Sequence, residues 1–442
     1  MTTGRKRYGI IGTGHRASMF IDALTTAHAG DGEIVAWSDS NPARLDFYEA
    51  QIGRQGVAPP IRFAPAELER AITSHRLDTI IVVTPDATHP ELIARSLAAG
   101  ADAIVEKPIA IDAPGCARIL DVAEATGRDV RITFNYRYAP RNSALKQVIA
   151  SGALGQITSI TFEWVLDLRH GADYFRRWHR DKQISGGLFV HKASHHFDLV
   201  NWWLADVPIE VFARGRLGFY GPENAASRGL GARPARGTSD AGVGDPFSLD
   251  LREDPRLAAL YLDAEKHDGY LRDQDVFTGA ISIEDNMAAI VTYRGGPILS
   301  YALNAHSPWE GYRVAVNGTA GRAELTVVER GAVLLDGRGR PVLDPSWESA
   351  DEVDDERPMG ETLIVQPHFS RARRETIPAG EGAHGGGDAL MLADLFREGR
   401  VDPLARASGF RDGIRAASVG IAANRSLQIG AAVAIREIGL DV

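Results

Sequence analysis

A chain of 442 residues exceeds what one ordinary core supports, and 44% apolar content suits a well-buried protein of two domains, or of one domain with a large appended layer. A net charge of −9 and a pI near 5.8 exclude the dense basic face that nucleic acid or an anionic membrane requires. The single cysteine, Cys116, leaves no intrachain disulfide, no apolar run approaches the roughly 20 residues of a membrane span, and the opening MTTGRKRYGIIGTG lacks a secretory apolar core, so a cytoplasmic protein is expected.

From Arg7 to Tyr136, RYGIIG, EIVAWSD, DTIIVVTP, DAIVEKP and VRITFN read as strands with helical patterns between them. This alternation predicts an α/β unit over residues 1–136 with a doubly wound parallel sheet. The first strand runs into Gly12-x-Gly14-x-x-Ala17, which then opens a helix, as a dinucleotide-binding Rossmann domain requires. Gly12 permits the tight turn, and Gly14 lets backbone N–H groups approach a pyrophosphate at a helix N-terminus. Thr13, His15 and Arg16 share that loop. Asp39 ends the second strand, where its carboxylate can bond the adenosine ribose hydroxyls. A 2′-phosphate about 4 Å from it would be repelled by about 4 kcal/mol at an effective dielectric near 20. NAD is therefore favoured over NADP, although Arg16 and Arg44 could offset part of the repulsion.

The fourth strand breaks at Thr84-Pro85, with His89 four residues on, and the fifth delivers Glu106 and Lys107 to the same carboxyl edge. Doubly wound sheets bind ligands outside that edge. A lysine held there by Pro108, beside a cationic nicotinamide, would have a lowered pKa and could stabilise an alkoxide or shuttle a proton.

After Pro140 a helix runs to about Ser151, and ITSITFEWV places Ile160, Phe162 and Trp164 on one strand face. A hairpin is expected around Gly295-Gly296, a turn at Asn317-Gly318, and a closing helix from about Gly409 to Gln428. Residues 137–442 thus predict an α+β domain with an open, mostly antiparallel sheet. Residues 221–280 form an insertion within it: GPENAASRGLGARPARGTSDAGVGD reads as a surface excursion, and LDAEKHDGYLRDQDVF as a solvated, partly ordered stretch.

The stretch GGLFVHKASHHFDLVNWW, with helical periodicity from about Val190, puts His191, His195, Asp198 and Trp202 on one face, and Lys192 and His196 on its neighbour. His191 and His195 have the i, i+4 spacing of zinc ligands, but no cysteine lies nearby and Lys192 would repel a dication, so no metal is expected. Arg176, Trp178 and His179 in YFRRWHRDK, His306 and Tyr312 in NAHSPWEGYR, and His384 and Asp388 in GAHGGGDAL are further candidates for holding a polyhydroxylated substrate.

Taken together, Gly12-x-Gly14, Thr84-Pro85 with His89, Glu106-Lys107-Pro108 and the Gly-Gly segment leading to His195-x-x-Asp198 resemble the Gfo/Idh/MocA family of NAD(P)-dependent sugar oxidoreductases. The resemblance implies substrate bound between nicotinamide and the second sheet, Lys107 as catalytic or polarising lysine, and His195 as proton acceptor. Many members carry an aspartate four residues before that histidine, where this chain has His191, which is read as a catalytic or substrate-positioning residue; Lys192 could reach a substrate anion. The implied function is an NAD-dependent dehydrogenase acting on a secondary hydroxyl of a sugar, glycoside or cyclitol, including oxidation of a glycoside at C3. Two alternatives remain: a glycosidase working by oxidation, elimination, hydration and reduction, and an NAD-binding sensor without turnover. A broad uncovered sheet face predicts a homo-oligomer, a dimer or tetramer.

Overall fold

The structure is a computed structural model that describes residues 5–242, 244–335, 356–380, 386–397 and 401–440. In the first unit, strands β1 (Lys6–Ile11), β2 (Gly32–Ser38), β3 (Ile61–Arg62), β4 (Thr79–Val82), β5 (Asp102–Val105) and β6 (Val130–Ile132) are joined through helices α1 (Ser18–Thr25), α2 (Pro42–Gly53), α3 (Leu68–His75), α4 (His89–Ala98) and α5 (Ala113–Thr126). They form a six-stranded sheet in the order β3-β2-β1-β4-β5-β6, parallel throughout. β4 is buried at every position because helices cover both faces, so it reads as an unbroken apolar run. The two residues of β3 are exposed and carry no such signal. Asn41 caps α2 by accepting from Ala43 N, and Asp112 caps α5 from Gly115 N, each followed within two residues by a proline that suits a first helical turn.

Helix α6 (Pro140–Ala150) leads into β7 (Ile157–Asp167), then come α7 (His170–Arg176), α8 (Lys182–Ser185), α9 (Leu188–His191) and α10 (Ala193–Leu204). Strands β8 (Pro208–Arg216), β9 (Asn286–Tyr293), β10 (Ile298–Ser307), β11 (Glu310–Gly318), β12 (Gly321–Arg330), β13 (Gly360–Pro367), β14 (Arg373–Glu375) and β15 (Val433–Ala434) complete a nine-stranded sheet with β7. Among the described strands of this sheet only the β7–β10 pair is parallel. The hairpin at Gly295-Gly296 joins β9 to β10 as expected. The next turn falls later than expected. Asn317 stays in the ladder opposite Arg322, and Thr319-Ala320 make the turn, because Gly318 packs where a Cβ would come within 2.1 Å of the Leu154 carbonyl oxygen.

The residues from Gly187 to Leu204 are two helices, not one: α9 ends at His191, Lys192 breaks the run, and α10 starts at Ala193. Lys192 itself stays in the helical region, at φ −88° and ψ −48°. Helix α15 (Phe410–Ile429) packs on α9, α10 and β8, and α14 (Gly387–Phe396) returns to the first unit, where Phe396 meets Tyr8 edge to face at 5.3 Å between ring centroids.

The stretch read as a surface excursion lies largely at the surface, as expected, whereas the residues after it pack more than expected. Besides α11 (Pro222–Ser227), α12 (Pro255–Leu257) and α13 (Glu265–Asp268), the insertion buries Leu251, Leu257, Leu260, Val276 and Phe277. Leu260 joins the same apolar cluster as Tyr8, Ile10 and Trp37 of the first unit. Four of the insertion's acidic residues are spent internally: Arg236 pairs with Glu265 at 2.6 Å and Asp273 at 2.7 Å, and Arg233 pairs with Asp245 and Asp275. Charge composition signals solvation only when the charges lack partners.

Candidate active site

A cavity of about 790 Å³ opens at the carboxyl edge of the parallel sheet. Gly12 turns the chain there at φ +88°, and a Cβ would lie 2.4 Å from the Val83 carbonyl oxygen. Only glycine lets β1 and β4 approach so closely. Around Gly14 a Cβ would meet only the Tyr261 hydroxyl, at 3.7 Å, so the loop keeps an open cradle before α1. Asp39 lines the cavity with both oxygens engaged: Oδ2 accepts from Thr13 N at 2.7 Å and Thr13 Oγ1 at 3.1 Å, and Oδ1 accepts from Asn41 N at 2.8 Å. Thr13 therefore orients Asp39 from behind. Arg44 Nη1 lies 3.5 Å from Asp39, but Nη2 pairs with Asp268 of the insertion at 2.7 Å.

The insertion forms this end's outer wall. Tyr261, Asp268 and Tyr270 line the cavity, and the Tyr261 hydroxyl accepts from His15 N at 3.0 Å. An open glycine cradle and an acidic residue at the end of β2 fit a dinucleotide. Arg16 donates to Glu106 at 2.7 Å across the same wall. His89, expected to touch the cofactor, instead has Nδ1 2.8 Å from Pro108 O and Nε2 2.9 Å from Thr84 O, tying together the two loops that carry Thr84, Pro85 and Lys107.

At the other end Lys107 follows β5. Its Nζ lies 3.1 Å from His191 Nε2 and donates to the His191 carbonyl at 3.3 Å, while His191 Nδ1 lies 2.5 Å from Asp86 Oδ2. All three side chains line the cavity, and Asp86 and His191 are buried. Burial pushes the Lys107 ammonium down to about 8, against the opposing pull of Asp86 and Glu106. Burial likewise lowers His191 well below the usual imidazole range, with the Lys107 charge adding to it, and raises the Asp86 carboxyl. Asp86 was missed in the sequence although it directly follows Thr84-Pro85; nothing in its local pattern distinguishes it from a helix-starting acid.

Trp178 and His179 line the same end, their rings stacked at 3.6 Å between centroids, and Tyr174, Arg177 and Ile184 join them. The other expected substrate contacts lie elsewhere. Arg176 donates to Phe247 O at 2.9 Å, behind the wall. Lys192 donates to the Tyr136 hydroxyl at 3.1 Å and sits over Trp164. His306 stacks on Phe219, Tyr312 accepts from Arg141 and stacks on Trp164, and Asp388 accepts from Asn135 at 2.7 Å. His384 falls outside the described residues. His195 lies flat on Tyr136 at 4.4 Å and is not among the residues that line the cavity. Asp198, four positions before Trp202, pairs with Arg137 at 2.6 Å instead of facing ligand.

Two family models match this chain: the NAD-binding Rossmann fold of the oxidoreductase family over residues 6–134, and its C-terminal alpha/beta domain over residues 146–435. YteT of Bacillus subtilis, which carries an oxidoreductase name, is 34% identical over 398 residues, 88% of this chain and 87% of its own. An inositol 2-dehydrogenase of Rhizobium meliloti is 30% identical over 207 residues, 47% of this chain and 57% of its own. Among solved structures, an oxidoreductase from Agrobacterium radiobacter in complex with NAD+, L-tartaric acid and magnesium superposes with a TM-score of 0.62 at 16% identity, covering 98% of both chains. The chain is an NAD-binding oxidoreductase and belongs to the Gfo/Idh/MocA family.

Proposed function

We propose that this oxidoreductase oxidises a secondary hydroxyl of a sugar, glycoside or cyclitol. The observation that carries the reading is the chain Lys107, His191, Asp86, which brings a lysine of lowered pKa and a buried proton acceptor to the cavity edge where the dinucleotide cradle ends. Bound NAD+ supplies the acceptor for the hydride that leaves the carbinol carbon. Neutral Lys107 takes the hydroxyl proton as the C–O bond gains double-bond character. His191 can then accept a proton at Nε2 and release one from Nδ1 to Asp86, so Lys107 returns to its neutral form without exposing the site to water. Trp178 offers an apolar face for a sugar ring, and His179 a hydrogen-bonding nitrogen.

This reading moves the proton-accepting role from His195 to Lys107 and His191. Lys107→Ala and His191→Ala should each lower turnover by about 10²–10⁴-fold with NAD affinity retained, and His195→Ala by much less. Turnover measured across cyclitols, free sugars and aryl glycosides, with NADH followed at 340 nm, tests this. A folded His195→Ala enzyme as impaired as Lys107→Ala would return the role to His195.

One observation favours the glycosidase reading as a second possibility. The Tyr174 hydroxyl lies 3.1 Å from His170 Nε2, and His170 Nδ1 lies 2.5 Å from Glu310, a second proton path ending at the cavity wall. Elimination from a keto-glycoside needs a second acid–base group. Aglycone release without net NADH marks that reaction, whereas stoichiometric NADH with intact glycoside marks the dehydrogenase.

The outer face of the nine-stranded sheet exposes Phe212, Ile290 and Ile298, and we propose that a second copy of the chain covers it. A monomeric mass in sedimentation would overturn that.

A further inference from the structure

Arg177 stands just past α7, where the chain turns into the segment that carries Trp178 and His179, and it lines the cavity beside them. Its Nη2 pairs with Asp173 at 2.7 Å and its Nε donates to the Asp173 carbonyl at 3.3 Å. Among the described residues Nη1 has no hydrogen-bond partner, and the side chain keeps 26% of its exposure. Asp173 is not its partner alone. That buried carboxylate also takes both terminal nitrogens of Arg272, at 2.7 and 3.2 Å, and has Arg176 at 3.9 Å.

Arg16, Arg44, Arg95 and Arg177 all line the cavity, and Arg177 is the one that stands with Trp178 and His179 at the substrate end. At the cofactor end Glu106 is held by Arg16, Asp39 by Thr13 and Asn41, and Asp268 by Arg44. At the substrate end Asp86 is committed to His191. His179 is buried and its ring makes no hydrogen bond to a described residue. A substrate at this end therefore meets Lys107, Arg177 and a hydrogen-bonding imidazole. A guanidinium edge inside a partly closed cavity is best satisfied by a carboxylate, whose two oxygens match its geometry.

We propose that the substrate carries a carboxylate, as a uronic acid or another polyhydroxy acid does, and that Arg177 is the residue that selects it. This rests on the oxidoreductase reading of the same cavity and narrows its substrate class. Arg177 sits over the Tyr174 ring at 5.9 Å, and Tyr174 meets His191 edge to face at 5.6 Å between ring centroids, so the guanidinium shares the end of the cavity that holds Lys107 and His191.

The test is calorimetric titration of the NADH-loaded protein with D-glucuronate, D-galacturonate, D-glucose and D-galactose, repeated on Arg177→Gln and Arg177→Lys. At least one acid should bind about 10- to 100-fold more tightly than its neutral counterpart, the worth of a charge-assisted hydrogen bond. Arg177→Gln should abolish that difference, Arg177→Lys should keep part of it, and retained NADH affinity in both shows that the fold is intact. Equal affinity for acid and neutral sugar, failure of every acid to bind, or a preference that survives in Arg177→Gln would each overturn the proposal. Turnover is read separately: an acid that binds through Arg177 to the NAD+-loaded protein but yields no NADH would count against the oxidation and leave carboxylate recognition standing.

Discussion

In the proposed oxidation Lys107 is the proton acceptor, and its titration is accessible in rate measurements. With burial setting its ammonium near 8, the fraction in the neutral, proton-accepting form rises through that pH. Oxidation should therefore be half-maximal near pH 8 and level above it, and the reverse reduction should show the opposite limb. Asp86→Asn removes both the acceptor behind His191 and a charge that holds the Lys107 pKa up, so kcat should fall by about 10² and the midpoint should move to lower pH. A purely structural Asp86 would lower stability without moving the midpoint. At the cofactor end, Asp39→Ser removes the carboxylate that repels a 2′-phosphate. NAD affinity should drop about tenfold and the preference for NAD over NADP should narrow, as measured by quenching of tryptophan fluorescence.

The insertion is the element that distinguishes this site, because one side of it packs on the first unit and the other lines the cavity. Leu260 is fully buried against the first unit, Asn41 donates to the Ala264 carbonyl at 3.0 Å, and Tyr261 and Asp268 face His15 and Arg44. Leu260→Ala removes the apolar anchor at a cost of about 2–5 kcal/mol, concentrated on the insertion's docking. NAD should then dissociate faster, with hydrogen exchange rising over residues 251–270 and not in the parallel sheet. Unchanged exchange there would show that the ion pairs, not Leu260, hold the segment in place.

For the whole molecule, the buried pair between Arg137 and Asp198 ties the segment that leaves the parallel sheet to α10, with hydrogen bonds of 2.7 and 2.6 Å. Both side chains are almost fully buried, so removing one leaves the other's charge stranded. Asp198→Ala should destabilise by about 3–5 kcal/mol. Spread over the unfolding entropy of a chain this size, that lowers Tm by about 3–5 °C. Calorimetry on the NAD-free protein checks it, and a shift under 1 °C would mean that Asp412, 3.2 Å from the same arginine, already balances the charge. Among the described residues no helix is long and apolar enough to cross a membrane.

The amino-acid sequence by itself determined the two sheets, because a run of apolar residues between helical patterns and an alternating strand each carry a periodicity that local sequence displays. It likewise marked Gly12, Asp39, Glu106 and Lys107, which stand at the carboxyl ends of β1, β2 and β5 and line the cavity. Tertiary structure decided the rest. Asp86 joins His191 across 105 positions, a contact no local pattern encodes. Of the two histidines read on one helix face, His191 lines the cavity and His195 packs flat on Tyr136. The insertion became a wall of the cofactor cavity because four of its acids found arginines within the same segment and Leu260 found a gap in the first core. Periodicity is a property of neighbours in sequence, whereas a proton path and a cavity wall are properties of neighbours in space.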